Sequence, residues 1–427
     1  MRNRSNFRGF RLFWLLLPVV GAATNTATPL GPPSQVGQLP SPGAASQDQT
    51  KSGTRTVNAE SLLANLKEAL ANGRSDRARE ATVELLQQPS LKAGLLLEAG
   101  SSLAQQELYE EASLAFSRCV KDYPEIFEGY YDLALSELAS GNAPRALETM
   151  EKAPRATREQ EIARRYLRGK IEATMGRVND AERDLTAAFT ASPQEENYAL
   201  DLGLLYLRQK NYAKAIQIFD QGSQSPPASA FIWLGLGLAQ LLGGLPEASV
   251  ETCSKILKRD ESFSPARALM AFALYMGGKY PEAVRVSGAE IRSGQSFPYL
   301  YYMHAAAQLR LQSTDYEGML RDLDLAAKNI PVCSLCYLTR SKIHESMGAR
   351  DEATTDLQHS LRLDPSLAEA WYRLASLYSR AGRNADASKA RAQFNRLKEE
   401  KSSHETDMIR DAFIGALGGE KGTASAR

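Results

Sequence analysis

From residue 58 onward, apolar side chains recur three and four positions apart, in runs of about a dozen residues separated by short polar breaks. That spacing puts the apolar groups on one face of a helix. Few stretches show the two-residue alternation of a strand, so the pattern predicts an all-α chain.

Three segments depart from the rhythm. Residues 12–23, LFWLLLPVVGAA, form one continuous apolar run behind Arg2, Arg4, Arg8 and Arg11 and end in small residues. Basic, then apolar, then small is the layout of a secretory signal, and the run is shorter than the ~20 residues of a membrane-spanning helix. It predicts a signal peptide over 1–23, cleaved after Ala22 or Ala23, with an uncleaved signal anchor as the alternative. The expected location is therefore exported, periplasmic or extracellular, or else membrane-anchored by this segment. No cysteine follows the run to carry a lipid, and no Arg-Arg pair marks a twin-arginine route. Residues 24–57 are dominated by Thr, Pro, Gly, Ser, Gln and Ala, too poor in large apolar groups to offset the entropy of ordering. They read as a disordered linker. Near the other end, 402–418 predicts one amphipathic helix, with Met408, Ile409, Ala412, Phe413, Ala416 and Leu417 on one face. Its expected use is to cap the open end of the preceding helices. The last nine residues, 419–427, read as a disordered tail.

Between these segments the helical runs repeat. Laying the chain on itself at a spacing of 34 residues brings like residues into register. Residues 196–229 hold Leu202-Gly203, Tyr206, Tyr212, Ala215, Phe219 and Pro227. The same slots in 93–126 hold Ala99-Gly100, Leu103, Tyr109, Ala112, Phe116 and Pro124. Units begin near Ala59, Ala93, Phe127, Ile162, Glu196, Ala230, Ser264, Leu300, Ser334 and Ala368. Small residues such as Gly203 and Ala215 allow two helices to cross closely, a turn glycine such as Gly244 ends the first helix, and a proline such as Pro365 ends the second.

On these residues the chain resembles the tetratricopeptide repeat (TPR) family over 58–401, in about ten units. The resemblance implies a right-handed superhelical solenoid of antiparallel helix pairs, in which each unit buries its apolar face only against its neighbours. It also implies a concave groove, lined mainly by first helices, that holds an extended peptide or a partner helix. On this register Tyr131, Tyr166, Lys170, Phe272, His304, Gln308, Lys342 and Tyr372 fall on the groove face. Aromatic groups mixed with a few polar ones suit peptide binding. The regular Lys, Asn and Arg clamp of the family's chaperone-tail receptors is missing, since Lys170 and Lys342 stand alone.

Charge changes the picture only by exclusion. The chain has 51 basic and 50 acidic residues and no dense Lys/Arg block, so nucleic acid is not an expected partner. No G-x-x-x-x-G-K, H-E-x-x-H or G-x-S-x-G motif occurs. The expectation is a non-enzymatic scaffold with no cofactor, no metal and no small-molecule substrate, whose partner is a protein or peptide. One motif keeps chemistry open. Cys333-Ser-Leu-Cys336 is a C-x-x-C at the start of a unit, where a helix N-terminus lowers a thiol's pKa. Packing or a local disulfide is one reading, since the i,i+3 spacing meets disulfide geometry and an exported compartment is oxidising. A thiol-disulfide oxidoreductase or redox-sensitive adaptor is the alternative, and a metal site is a third. Thioredoxin's sheet is absent and two more ligands are lacking.

Overall fold

In the computed structural model, the described residues are 58–154, 157–224, 228–294, 297–398 and 404–418. The expected signal (1–23), linker (24–57) and tail (419–427) lie outside them. Every regular element among the described residues is an α-helix. The chain divides between residues 155 and 156 into two units.

The first unit holds α1 (Ala59–Ala71), α2 (Ser75–Leu86), α3 (Ala93–Gln105), α4 (Tyr109–Asp122), α5 (Phe127–Ala139) and α6 (Ala143–Lys152). The second begins with α7 (Arg158–Thr174), α8 (Val178–Ala191), α9 (Glu196–Arg208), α10 (Tyr212–Ser223), α11 (Ala230–Leu242), α12 (Pro246–Arg259) and α13 (Ser264–Met276). It continues with α14 (Tyr280–Ser293), α15 (Pro298–Arg310), α16 (Tyr316–Asn329), α17 (Ser334–Met347), α18 (Arg350–Leu363), α19 (Ala368–Arg380), α20 (Asn384–Leu397) and α21 (His404–Leu417). Within each unit every odd helix up to α19 packs on the even helix after it, and each pair packs on the next.

Eight of the ten expected unit starts are first residues of helices, Ala93, Phe127 and Glu196 among them. The other two differ for local reasons. α7 starts at Arg158, four residues before Ile162, because Thr157 and Gln160 form a reciprocal capping box. α15 starts at Pro298, two residues before Leu300, because a proline is favoured at the first helical turn.

Close helix crossing fixes the small residues. The Phe219 ring is fully buried between Gly203 of its own pair and Gly235 of the next, and a Cβ on either glycine would overlap it. Turn geometry fixes another position. Each first helix is followed by one residue in the left-handed region, a glycine in seven pairs and Glu107, Lys210 or Gln312 in the other three. Glycine adopts that conformation without steric cost, while a residue with a Cβ is strained there.

The last helix departs from expectation. The sequence assigns it to the open end of the stack, beyond α20. It lies instead on α9 and α11, with Phe413 against the rings of Phe272 and Phe297. An amphipathic face states what must be buried, not against what. Ile409, Phe413 and Leu417, one turn apart, are 1%, 0% and 0% exposed in this seat.

Candidate protein-binding groove

First helices of the second unit touch one another in sequence, α9 on α11, α11 on α13, and α13 on α15. Together they floor a trough, and α21 lies in it. Phe413 stands edge-on to Phe272 of α13 with ring centroids 6.1 Å apart, and 5.2 Å from Phe297 at the start of α15.

The first turn of α21 is acidic and meets donors on the floor. Asp407 lies 2.8 Å from Nζ of Lys210, in the turn after α9. Burial pulls against its charge, but Lys210 and Arg410 outweigh burial and hold Asp407 below the ordinary carboxylate range. Glu405 accepts a hydrogen bond from Tyr302 Oη of α15 at 3.0 Å. Here burial wins, and both the Glu405 carboxyl and the Tyr302 hydroxyl are pushed up. His404 Nδ1 lies 3.0 Å from Asp364, which follows α18.

Beyond this first turn the trough continues as a cavity of about 790 Å³, lined among others by Tyr275, Arg310, Leu338, Lys342, Arg373 and Glu405. Lys342 and Arg373 both reach Glu369 at 2.9 Å, and Arg373 also reaches Glu345 at 3.1 Å. Its walls are thus apolar at Leu309, Leu335, Leu338 and Leu367 and charged with both signs at other places, which suits a peptide carrying side chains of both kinds. Among the described residues no group of three His, Cys, Asp or Glu gathers as a metal site.

Residues 97–161 and 166–230 match the tetratricopeptide repeat family. These two stretches carry tetratricopeptide repeats. One matched stretch lies mostly in the first unit and the other in the second. Human tetratricopeptide repeat protein 13 is 28% identical over 171 residues, 37% of this chain and 19% of that protein. Mouse superkiller complex protein 3 is 22% identical over 212 residues, 47% of this chain and 13% of that protein. The chain thus spans less than a fifth of the length of either curated relative. Among solved structures, a tetratricopeptide repeat protein from Parabacteroides merdae superposes with a TM-score of 0.44 at 15% identity, covering 67% of this chain and 98% of that one.

Within these repeats the eight expected groove residues fall in different places. Phe272 forms the floor under Phe413 and is 1% exposed. Lys342 lines the cavity. Tyr166 and Lys170 sit one turn apart on α7, and both engage Asp201 of α9, Lys170 at 3.0 Å. Tyr131 is buried in the first unit beside Phe127. Tyr372 is 59% exposed and leans on Phe394 of α20, while Glu369 and Arg373 on either side of it line the cavity.

His304 and Gln308 are corrected by the structure. His304 points into the crossing with the second helices, its Nδ1 2.8 Å from Ser287 Oγ of α14 and its Nε2 3.1 Å from the Gln308 amide and 4.0 Å from Asp322 of α16. Burial pushes its pKa down. Counting from Leu300 instead of Pro298 slips the register by two residues, about 200° around a helix. From the true start, Tyr302 and Ala306 take the groove positions, and both line the cavity. Arg310 and Tyr275 were missed for a related reason: they lie late in their helices, where no aromatic or small-residue slot marks them.

The C-x-x-C brackets the start of α17, with Cys333 as its N-cap. Its cysteines are bonded to each other, with Cα atoms 5.3 Å apart, and are 3% and 1% exposed. A buried, bonded pair gives a substrate disulfide no access, so the oxidoreductase alternative finds no support. His344 Nδ1 lies 2.9 Å from the buried Asp356 carboxylate, which Arg340 also holds at 3.0 Å.

Proposed function

We propose that this protein is an exported, non-enzymatic scaffold that holds a protein or peptide partner in the first-helix groove of about ten tandem tetratricopeptide repeats. The observation that carries the reading is the seat of α21. A trough that buries Ile409, Phe413 and Leu417 of one helix, and pairs its acids with Lys210 and Tyr302, has the lining a peptide ligand needs. Near-balanced charge favours a protein over a nucleic acid as the partner. Export rests on the sequence of residues 1–23, which lie outside the described residues. Among the described residues no helix is long and apolar enough to cross a membrane.

Affinity capture from membrane and secreted fractions tests the reading. The full chain is compared with Arg310→Glu and Lys342→Glu, two cavity-lining changes outside the helix crossings. Loss of specific partners from both variants supports the groove. An unchanged set of partners contradicts it.

A further inference from the structure

α21 marks what the groove recognises. Its contacts with the repeats amount to a short code: acids in the first helical turn, then large apolar side chains one turn apart. Glu405 and Asp407 supply the acids, on Tyr302 and Lys210. Ile409, Phe413 and Leu417 supply the stripe, all buried. The helix-to-helix packing of α21 is chiefly on the first helices α9 and α11. A free 14-residue helix is marginal in water, so α21 is helical because the groove holds it.

We infer that the partner of this groove is an amphipathic helix of the same design as α21, and that α21 is the occupant this partner displaces. The inference rests on the groove reading above and deepens it by naming the partner's chemistry. Residues 398–403 join α20 to α21, and so short a connection holds α21 over the groove at an effective concentration of ~mM. An external helix therefore meets a groove that is open only part of the time, and its apparent affinity falls by that fraction. It has one advantage over α21. The groove runs on past His404 into the 790 Å³ cavity. A partner with further residues before its first turn reaches Lys342 and Arg373 there, which in the α21-bound state pair with Glu369 and Glu345 of the repeats.

The test uses the full chain and a fluorescent peptide of residues 404–418 as the probe. Two substitutions release α21 without touching the floor: Phe413→Asp removes the central apolar anchor, and Ile409→Pro breaks the helix. Circular dichroism and thermal unfolding establish that each variant keeps its cooperative transition. The expected result, read by anisotropy, is saturable binding at least tenfold tighter to both variants than to the unsubstituted chain. A peptide carrying Phe413→Asp is expected not to bind. Equal affinity for all three chains, or no binding to either folded variant, overturns the inference. Loss of the transition in both variants makes α21 an integral part of the fold and also overturns it. A dimer in sedimentation that disappears with Phe413→Asp makes a second copy the occupant, with the same consequence. If the peptide fails while Arg310→Glu still loses captured partners, the groove reading stands and only the displaced-helix inference falls.

Discussion

The ring of Phe413 stands edge-on to the ring of Phe272, centroids 6.1 Å apart and planes at 88°, one on the last helix and one on the floor of the repeats. That geometry directs the positive edge of one ring at the negative face of the other. Phe413→Ala removes a fully buried side chain, a change that costs about 3–5 kcal/mol in a core. Here the loss is capped by the free energy of docking α21, because the segment can leave. The expected outcome is loss of helix over residues 404–417 by circular dichroism, with the main unfolding transition retained. A double-mutant cycle with Phe272→Leu and Phe413→Leu is expected to give a coupling of about 0.5–1.5 kcal/mol. A coupling of zero would remove the ring contact from the account.

Turn chemistry gives a prediction of the opposite sign at two equivalent places. Gln312 adopts φ 55° where most pairs have glycine, and Gly278 adopts φ 74°. A left-handed backbone costs a residue with a Cβ about 1–2 kcal/mol relative to glycine. Gln312→Gly is therefore expected to raise the denaturant midpoint by the equivalent of about 1 kcal/mol. Gly278→Ala is expected to lower it by a similar amount, although a Cβ there meets no neighbouring atom within 4 Å. Equal effects of the same sign would show that backbone strain does not set these positions.

The same regularity explains how much of the molecule can be read from its sequence. Gly100, Gly203 and Ala215 recur at 34-residue spacing because the helix crossings demand them, so the helix pairs and their starts are legible. The groove is legible only as far as the register holds. Tyr166 and Lys170 are counted from Ile162, four residues and so about one turn inside α7, which keeps the face, and Lys342 from the observed start of α17, whereas His304 and Gln308 are counted from Leu300, as if the break added two residues, although Pro298 already lies 34 residues after Ser264. Nothing in the local sequence of RSGQSFP states which of its residues belongs to the helix. The seat of α21 is illegible for a different reason. Its apolar stripe from Met408 to Leu417 requires a cover, but the stripe alone does not say whether that cover is the last helix pair or the floor of α9, α11 and α13. Only the three-dimensional fit of Phe413 between Phe272 and Phe297 decides between them.

Asp132 on α5 makes the first unit sensitive to pH. Burial, with Glu128 beside it, pushes its carboxyl up to about 7. In the unfolded chain the same group titrates near ~4. Between these values the folded state holds a proton that the unfolded state has lost, so this group's contribution to stability falls as pH rises from about 4 towards 7. Asp132→Asn is expected to flatten the decline in urea stability across that window and to stabilise the protein most above pH 7. An unchanged slope in the variant would assign the pH dependence to other groups.

Thiol chemistry separates a scaffold from a redox catalyst. Cys333 and Cys336 are bonded, while Cys119 and Cys253 are fully buried, with burial pushing their thiols up to about 11 and about 12. A thiol held protonated and out of solvent does not attack a disulfide. The native protein is expected to give no rapid reaction with an aromatic disulfide reagent at neutral pH, and two reacting thiols once unfolded without reductant. A fast-reacting thiol in the native state would reopen the case for chemistry at α17.

α21 occupies the first-helix groove, and native-state hydrogen exchange over residues 405–417 tests that most directly. A docked α21 predicts amides that exchange far more slowly than those of the isolated 404–418 peptide. Phe413→Asp should then return that segment to the peptide's rate while helices α9 to α12 keep their protection. Exchange of the segment at the peptide's rate in the unsubstituted chain would show the groove empty and contradict the account.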